Sequence, residues 1–252
     1  MGEVYITEAT PDNFPELEVC GDNDKFCEGK KKKAEWYKDR YKEGLRIKTA
    51  YIDGSRAGMI EYVPGEYTWR TLNAGGYTVI QCLQVLRKYT RQGCGEALLK
   101  ECIKDAGDSN GIAIITSSKP WVNDKKFFRK YGFKTIEKAP PYYELAVLKL
   151  KEGALPGFYS GWEDRAAAYG HGITVIYTDQ CPIIDYAVKN MDAAASELGI
   201  QINYRKISHY KEAQNAPFPY GTFGIIKDGK FLTHRIFEKD RYVELFRDGF
   251  VI

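Results

Sequence analysis

The segment that most constrains this chain runs from Val85 through Leu86, Arg87, Lys88, Tyr89, Thr90, Arg91, Gln92, Gly93, Cys94, Gly95, Glu96 and Ala97 to Leu98 and Leu99. It ends an apolar strand pattern, crosses a basic turn and opens a helix on Gly-x-Gly, after which Leu98, Leu99, Cys102, Ile103 and Ala106 recur at the helical period. A strand feeding a helix in this way predicts an α/β layer. Two glycines let the backbone approach a ligand and adopt φ values closed to other residues. Unpaired N–H groups and the positive dipole end at a helix start suit a pyrophosphate, and Arg87, Lys88 and Arg91 add charge. On physics alone this is an anion site. A Rossmann site is disfavoured because G-x-G-x-x-G fails at Leu98, and a P-loop because no Gly-Lys-Ser/Thr follows.

The rest of the chain organises around that segment. Strands are predicted at Tyr5–Thr7, Leu45–Tyr51, Ala57–Tyr62, Tyr77–Leu86, Ile112–Thr116 and Tyr143–Lys149, with an Asp53-Gly54 hairpin turn. A helix over Lys31–Glu43 follows the run Lys30 to Lys33, whose mixed-charge continuation suits a solvated helix with i,i+4 pairs or, alternatively, contact with an anionic ligand. Asn123 or Asp124 can cap a short helix carrying Phe127 and Phe128, ended by Gly132. Residues 151–172, with five glycines, read as a connection between two units, 1–150 and 173–252. In the second unit a strand (Ile173–Tyr177), an amphipathic helix, a strand (Ile200–Ile207), a hairpin across Asp228-Gly229 and a terminal helix (Arg241–Phe246) follow in thioredoxin core order.

Composition narrows the classes. A net charge of +3 does not make a concentrated nucleic-acid face. Six Cys without regular spacing or a signal peptide read as a reducing, cytoplasmic setting, and with three His they show no metal-ligand spacing. No apolar run is long enough for a bilayer.

The glycine turn resembles motif A of the GNAT acetyltransferases, Gln/Arg-x-x-Gly-x-Gly/Ala after a central strand, and Asn123 to Phe133 resembles that family's helix-Gly-Phe signature. Glu61-Tyr62-Val63-Pro64 and Trp69-Arg70 further resemble the YoaP-type subgroup, which carries a C-terminal thioredoxin-like segment. The resemblance implies an α/β chain: a GNAT fold, with a mixed central sheet and flanking helices, followed by a smaller thioredoxin-like domain. It implies acetyl-CoA as cosubstrate, held by Leu83, Val85, Arg91, Gln92, Gly93, Cys94, Gly95, Glu96 and Asn123, and acetyl transfer to an amine. A backbone N–H near Val85 is then the expected oxyanion donor, and Glu61 the candidate base. Tyr89, Tyr131, Tyr142 and Tyr143 are candidate acids, with Tyr131 placed in the catalytic set. Two departures stand out: Thr90 takes the motif's leading Gln/Arg position, and Phe128 the position of the usual proton-donating Tyr.

In the second unit Cys181-Pro182 resembles a glutaredoxin Cys-Pro-x-Cys whose second Cys is Ile184, so a dithiol cycle is excluded. Cys181 at a helix start is a candidate reactive thiol, and an inert or recognition role stays open beside it. Gly221 takes the place of the thioredoxin cis-proline, with Pro217 and Pro219 just before. Three functions remain: an N-acetyltransferase with an unread acceptor, a CoA-binding sensor without turnover, and a monothiol oxidoreductase. The oligomeric state is open, a dimer included. The first unit alone, Met1 to about Leu150, is expected to bind acetyl-CoA.

Overall fold

The computed structural model describes residues 3–17, 20, 24–120 and 122–248, so residues 1–2 and 249–252 of the two predicted units lie outside the described residues. The first unit runs β1 (Val4–Glu8), α1 (Phe14–Leu17), α2 (Cys27–Lys42), β2 (Arg46–Ile52), β3 (Ser55–Pro64), β4 (Leu72–Asn73) and β5 (Thr78–Val85). It continues with α3 (Cys94–Asp105), β6 (Gly111–Ser117), β7 (Asn123–Asp124), α4 (Lys125–Lys130), β8 (Lys134–Ala139) and β9 (Tyr143–Lys149). The main sheet has the order β1-β2-β3-β5-β6-β9-β8, with β7 on β6. It is mixed, as expected: β5 and β6 are parallel and the other long pairs antiparallel. The β2–β3 hairpin turns on Asp53 and Gly54, whose φ values of 48° and 73° are the two positive angles a type I′ turn requires.

Two irregularities in β5 create the site. Tyr62 pairs with Ile80 and Glu61 with Cys82, so Gln81 is an extra residue on β5, a β-bulge. Pairing of β5 with β6 covers Thr78–Ile80 and stops there, while β6 continues to its pairing with β7. Beyond the bulge the two parallel strands therefore diverge. The faces of β3 sort the packing: Ile60 and Tyr62 meet Leu98, Leu99 and Cys102 of α3, whereas Met59 and Val63 meet Trp36 and Tyr37 of α2. Glu61, in phase with Met59 and Val63, points toward α2.

The second unit holds β11 (Ile173–Tyr177), α6 (Ile183–Leu198), β12 (Ile202–Lys206), α7 (Tyr210–Gln214), β13 (Phe223–Lys227), β14 (Lys230–Thr233) and α8 (Lys239–Asp248), preceded by β10 (Gly157–Phe158) and α5 (Trp162–Ala167). Its sheet order is β12-β11-β13-β14, with β11 parallel to β12 and antiparallel to β13, the thioredoxin core arrangement. Among the described residues the cis peptide is Pro140-Pro141, so Pro217 and Pro219 are trans, and Gly221 has φ 88°.

The stretch 151–172 is not featureless: β10 pairs with β4, and Ala166 of α5 is buried. One hydrophobic cluster crosses from unit to unit, joining Trp36, Met59, Val63 and Trp69 to Ile176, Ala213, Phe218 and Ile226. Hydrogen bonds reinforce it, with Thr71 Oγ1 donating to Phe218 O at 2.9 Å and Gln214 Nε2 to Glu66 O at 3.0 Å. At Gly29 of α2 an added Cβ would lie 1.9 Å from the Pro182 carbonyl oxygen, so the absence of a side chain lets α2 meet the start of α6.

Candidate active site

A cleft of about 660 Å³ opens where β5 leaves β6, lined among others by Leu83, Val85, Arg91, Gly93, Cys94, Gly95, Glu96 and Tyr131. Arg91 and Gly93 both sit at positive φ, 64° and 88°. The first intrahelical bond of α3 runs from Ala97 N to Gly93 O at 3.0 Å, which leaves the N–H groups of Cys94, Gly95 and Glu96 without intrahelical partners. A Cβ on Gly93 would meet nothing within 4 Å, and one on Gly95 would press on the Phe127 ring at 3.2 Å. Open space beside aligned amides is an anion cradle.

Side chains in the cleft depart from several expectations. Gln92 is not in its lining; its Nε2 donates to Lys88 O at 3.0 Å. Cys94 is buried and desolvation raises its thiol pKa, so what it offers is its amide. Tyr131 donates to Glu96 Oε2 at 2.9 Å, while Phe128 is packed in the core against Phe133. Asn123 caps nothing; its Oδ1 accepts from the Leu83 N–H at 3.1 Å, and Asp124 caps α4 by accepting from the Lys126 N–H at 2.9 Å. Since Leu86 N–H donates across to Ala57 O, the two-residue alternation of the strand turns the Leu83 and Val85 amides toward the opening.

On the other side of β5 lies a cavity of about 410 Å³, roofed by the second unit. Leu83 and Asp124 line both spaces, so cleft and cavity are neighbours there. Glu61 is fully buried in its wall: Oε2 is 3.3 Å from Lys33 Nζ, and Oε1 accepts from Gln180 Nε2. Gln180 Oε1 in turn accepts from Arg70 Nη1 at 3.0 Å. Arg70, itself buried, also donates to Gln81 O at 2.6 Å and Thr222 Oγ1 at 3.2 Å and lies over the Tyr220 ring. Cys82, the cross-strand partner of Glu61, and Cys181, just ahead of α6, line the same cavity. The Cys20 thiol beside Cys82 draws the Cys82 pKa down, against the opposing effect of burial.

Glu61 and Cys181, 120 positions apart in the chain, thus share one cavity. Tyr142 and Tyr143 are not in its lining: Tyr143 is buried, and Tyr142 bonds His234. The run Lys30 to Lys33 suits a solvated helix face, yet Lys33 is 2% exposed. Among the described residues the ion pairs within α2 are at i,i+3: Lys31–Glu28, Lys38–Glu35 and Lys42–Asp39. Arg70 and Gln180 carried no chemical signal of their own, and only the fold brings them to Glu61. Among the described residues no three or more His, Cys, Asp or Glu side chains group to hold a metal, and no helix is long and apolar enough to cross a membrane.

His234, in the cavity wall, gives a pH prediction. Its Nε2 lies 3.4 Å from the Pro120 carbonyl, which can only accept, so Nδ1 accepts from the Tyr142 hydroxyl at 2.7 Å. Burial pushes its pKa from 6.5 down to about 4. Between those values the unfolded chain binds a proton that the folded one refuses, so stability falls as pH drops through this window, by about 3 kcal/mol in all. Urea unfolding of wild type and His234→Gln from pH 7 to 4.5 should show that extra slope in wild type. Parallel curves would contradict it.

The glycine-turned helix start, the bulged strand and its divergence from a parallel neighbour define a GNAT-type acyltransferase unit, and the sequence profile of the acetyltransferase (GNAT) domain matches residues 44–135. The YoaP-like profile matches residues 201–242. The uncharacterized N-acetyltransferase YoaP of Bacillus subtilis (strain 168) is 31% identical over 96% of this chain and 97% of its own length. This chain belongs to the YoaP family of GNAT acetyltransferases. Solved structures similar to it include PH1933 of Pyrococcus horikoshii OT3 (16% identity, 60% of this chain, 100% of that one, TM-score 0.44). Another is the PaiA N-acetyltransferase of Thermoplasma acidophilum in complex with coenzyme A (15% identity, 58% of this chain, 99% of that one, TM-score 0.42).

Proposed function

We propose that the chain transfers the acetyl group of acetyl-CoA to an amine held in the cavity between the two units. The observation that carries this reading is that Leu83 and Asp124 line both the anion cradle and the cavity that holds Glu61, which sets the two spaces side by side. Acetyl-CoA supplies the thioester. The amides of Cys94, Gly95 and Glu96 and the Arg91 side chain hold its phosphates, and the Val85 N–H faces the growing charge on the carbonyl oxygen. Glu61 removes the proton from the acceptor ammonium, with Lys33 and Gln180 fixing the carboxylate. Tyr131, which lines the cleft together with Tyr89, is the proton donor in place of the residue that Phe128 replaces.

Gly93→Val should weaken acetyl-CoA binding at least about tenfold, roughly 1.4 kcal/mol, since a branched side chain at φ 88° is strained and projects into the cradle. Calorimetry on the full chain reads this. Unchanged affinity would remove the cradle from the mechanism. Acetyl-CoA consumption over a panel of amines tests turnover. Tight binding with no consumption on any amine would favour the sensor reading.

A further inference from the structure

We infer that the acceptor is a small amine that also carries a carboxylate, an amino-acid-like molecule; this rests on the reading of the cavity between the two units as the acceptor site. Three features of the wall carry the inference. The first is its lining: the loop before α6, with Gln180 and Cys181, and the segment from Tyr220 to Phe223 face the β3–β5 wall across the cavity. A space of about 410 Å³ has the size of a small-molecule site.

The second feature is charge. The charged side chains buried in this wall, among the described residues, are Lys33, Arg70 and Glu61, two cations and one anion. The Arg70 guanidinium is met by neutral oxygens throughout: Trp69 O, Gln81 O, Gln180 Oε1, Thr222 Oγ1 and the Tyr220 hydroxyl. Asp124, the remaining carboxylate, lies exposed at the mouth as the cap of α4. Among the described residues no carboxylate meets Arg70, so a simple ammonium ion entering beside it would add a second cation there. An ammonium joined to a carboxylate adds no net charge, and its anionic end is attracted to Arg70.

The third feature is an orphaned acceptor. Gln81, the bulge residue, is fully buried and donates through Nε2 to Thr68 Oγ1 at 2.9 Å, which leaves Oε1 in the wall without a hydrogen-bond partner. A buried amide oxygen without a donor is costly. The amine N–H of the acceptor is the donor it lacks, next to the Glu61 carboxylate that takes the proton. Cationic and anionic poles thus face opposite ends of one ligand.

The test uses the full-length protein. Acetyl-CoA binding is measured first, and its absence would overturn the acetyltransferase reading itself. Turnover and calorimetric binding are then compared for the proteinogenic amino acids, short ω-amino acids, their methyl esters, the matching decarboxylated amines, spermidine and a lysine peptide with blocked ends. We expect at least one amino acid to exceed its decarboxylated partner and its ester by 100-fold or more in kcat/KM. In Arg70→Met that ratio should collapse toward one, and Arg70→Lys should restore part of it. The wild-type ratio stands as a test even where Arg70→Met does not fold. Equal or better turnover of a decarboxylated amine, spermidine or the blocked peptide would overturn the inference while leaving acetyl transfer intact. Binding of acetyl-CoA with no carboxylated amine bound would overturn it as well.

Discussion

A chain cut after Leu150 should fail to reach a cooperatively folded state, although its sequence alone reads as a self-sufficient unit. The cut removes Ile176, Ile207, Ala213, Phe218 and Ile226 from a cluster whose other half is Trp36, Met59, Val63 and Trp69. Truncating one large core side chain costs about 2–5 kcal/mol, and whole domains hold about 5–15 kcal/mol, so losing the four large ones, Ile176, Ile207, Phe218 and Ile226, exceeds what a unit of this size can absorb. Arg70 would lose Gln180, Thr222 and Tyr220 together, and Thr71 its acceptor at Phe218 O. The fragment should show a broad, non-cooperative urea transition and strong binding of a hydrophobic dye, beside a sharp transition for the full chain. A sharp transition in the fragment, with acetyl-CoA bound as tightly as by the whole protein, would show that the shared core is dispensable.

The same shared core explains what the sequence could and could not announce. Strands of the sheet interior were legible from their apolar runs, Leu145 to Leu148 in one and Ile173 to Tyr177 in the other: Tyr143–Lys149 and Ile173–Tyr177 have the predicted bounds, and both hairpin turns fall on Asp-Gly. The strand Lys134–Ala139 gave no such signal, because it lies at the sheet edge with Lys134, Thr135 and Lys138 exposed. The helix α5 hid inside a glycine-rich stretch, and only Ala166 of it is fully buried. Local chemistry at the glycine turn could be read because the phosphate cradle is built from consecutive residues. The acceptor cavity could not. Its wall draws Lys33 from a charged helix, Arg70 from a loop and Gln180 from another unit, and a lysine in a run of four looks solvated until the partner 28 positions later is seen to be buried beside it. The expectation that Glu61 lies on a strand flanking the acceptor rested on family resemblance; its burial and its two partners did not follow from any spacing.

Glu61→Gln should lower turnover roughly 10²–10⁴-fold if Glu61 is the base, but the same change also strikes stability. The carboxylate pairs with Lys33, which is 2% exposed, and breaking a buried ion pair by removing one member costs about 3–5 kcal/mol. Loss of activity in the single variant would therefore not separate proton transfer from a damaged fold. The double variant Lys33→Met, Glu61→Gln does. With both charges gone neither member of this pair is left facing a missing partner, and exchanging a buried pair for neutral side chains is often neutral in stability. Urea unfolding should return to within about 1 kcal/mol of wild type, acetyl-CoA affinity should be retained because the cradle at Gly93 is untouched, and turnover should stay as low as in the single variant. Recovery of turnover together with stability would assign Glu61 a structural part, holding Lys33 and Gln180 in place, and would move proton removal to a group outside this pair.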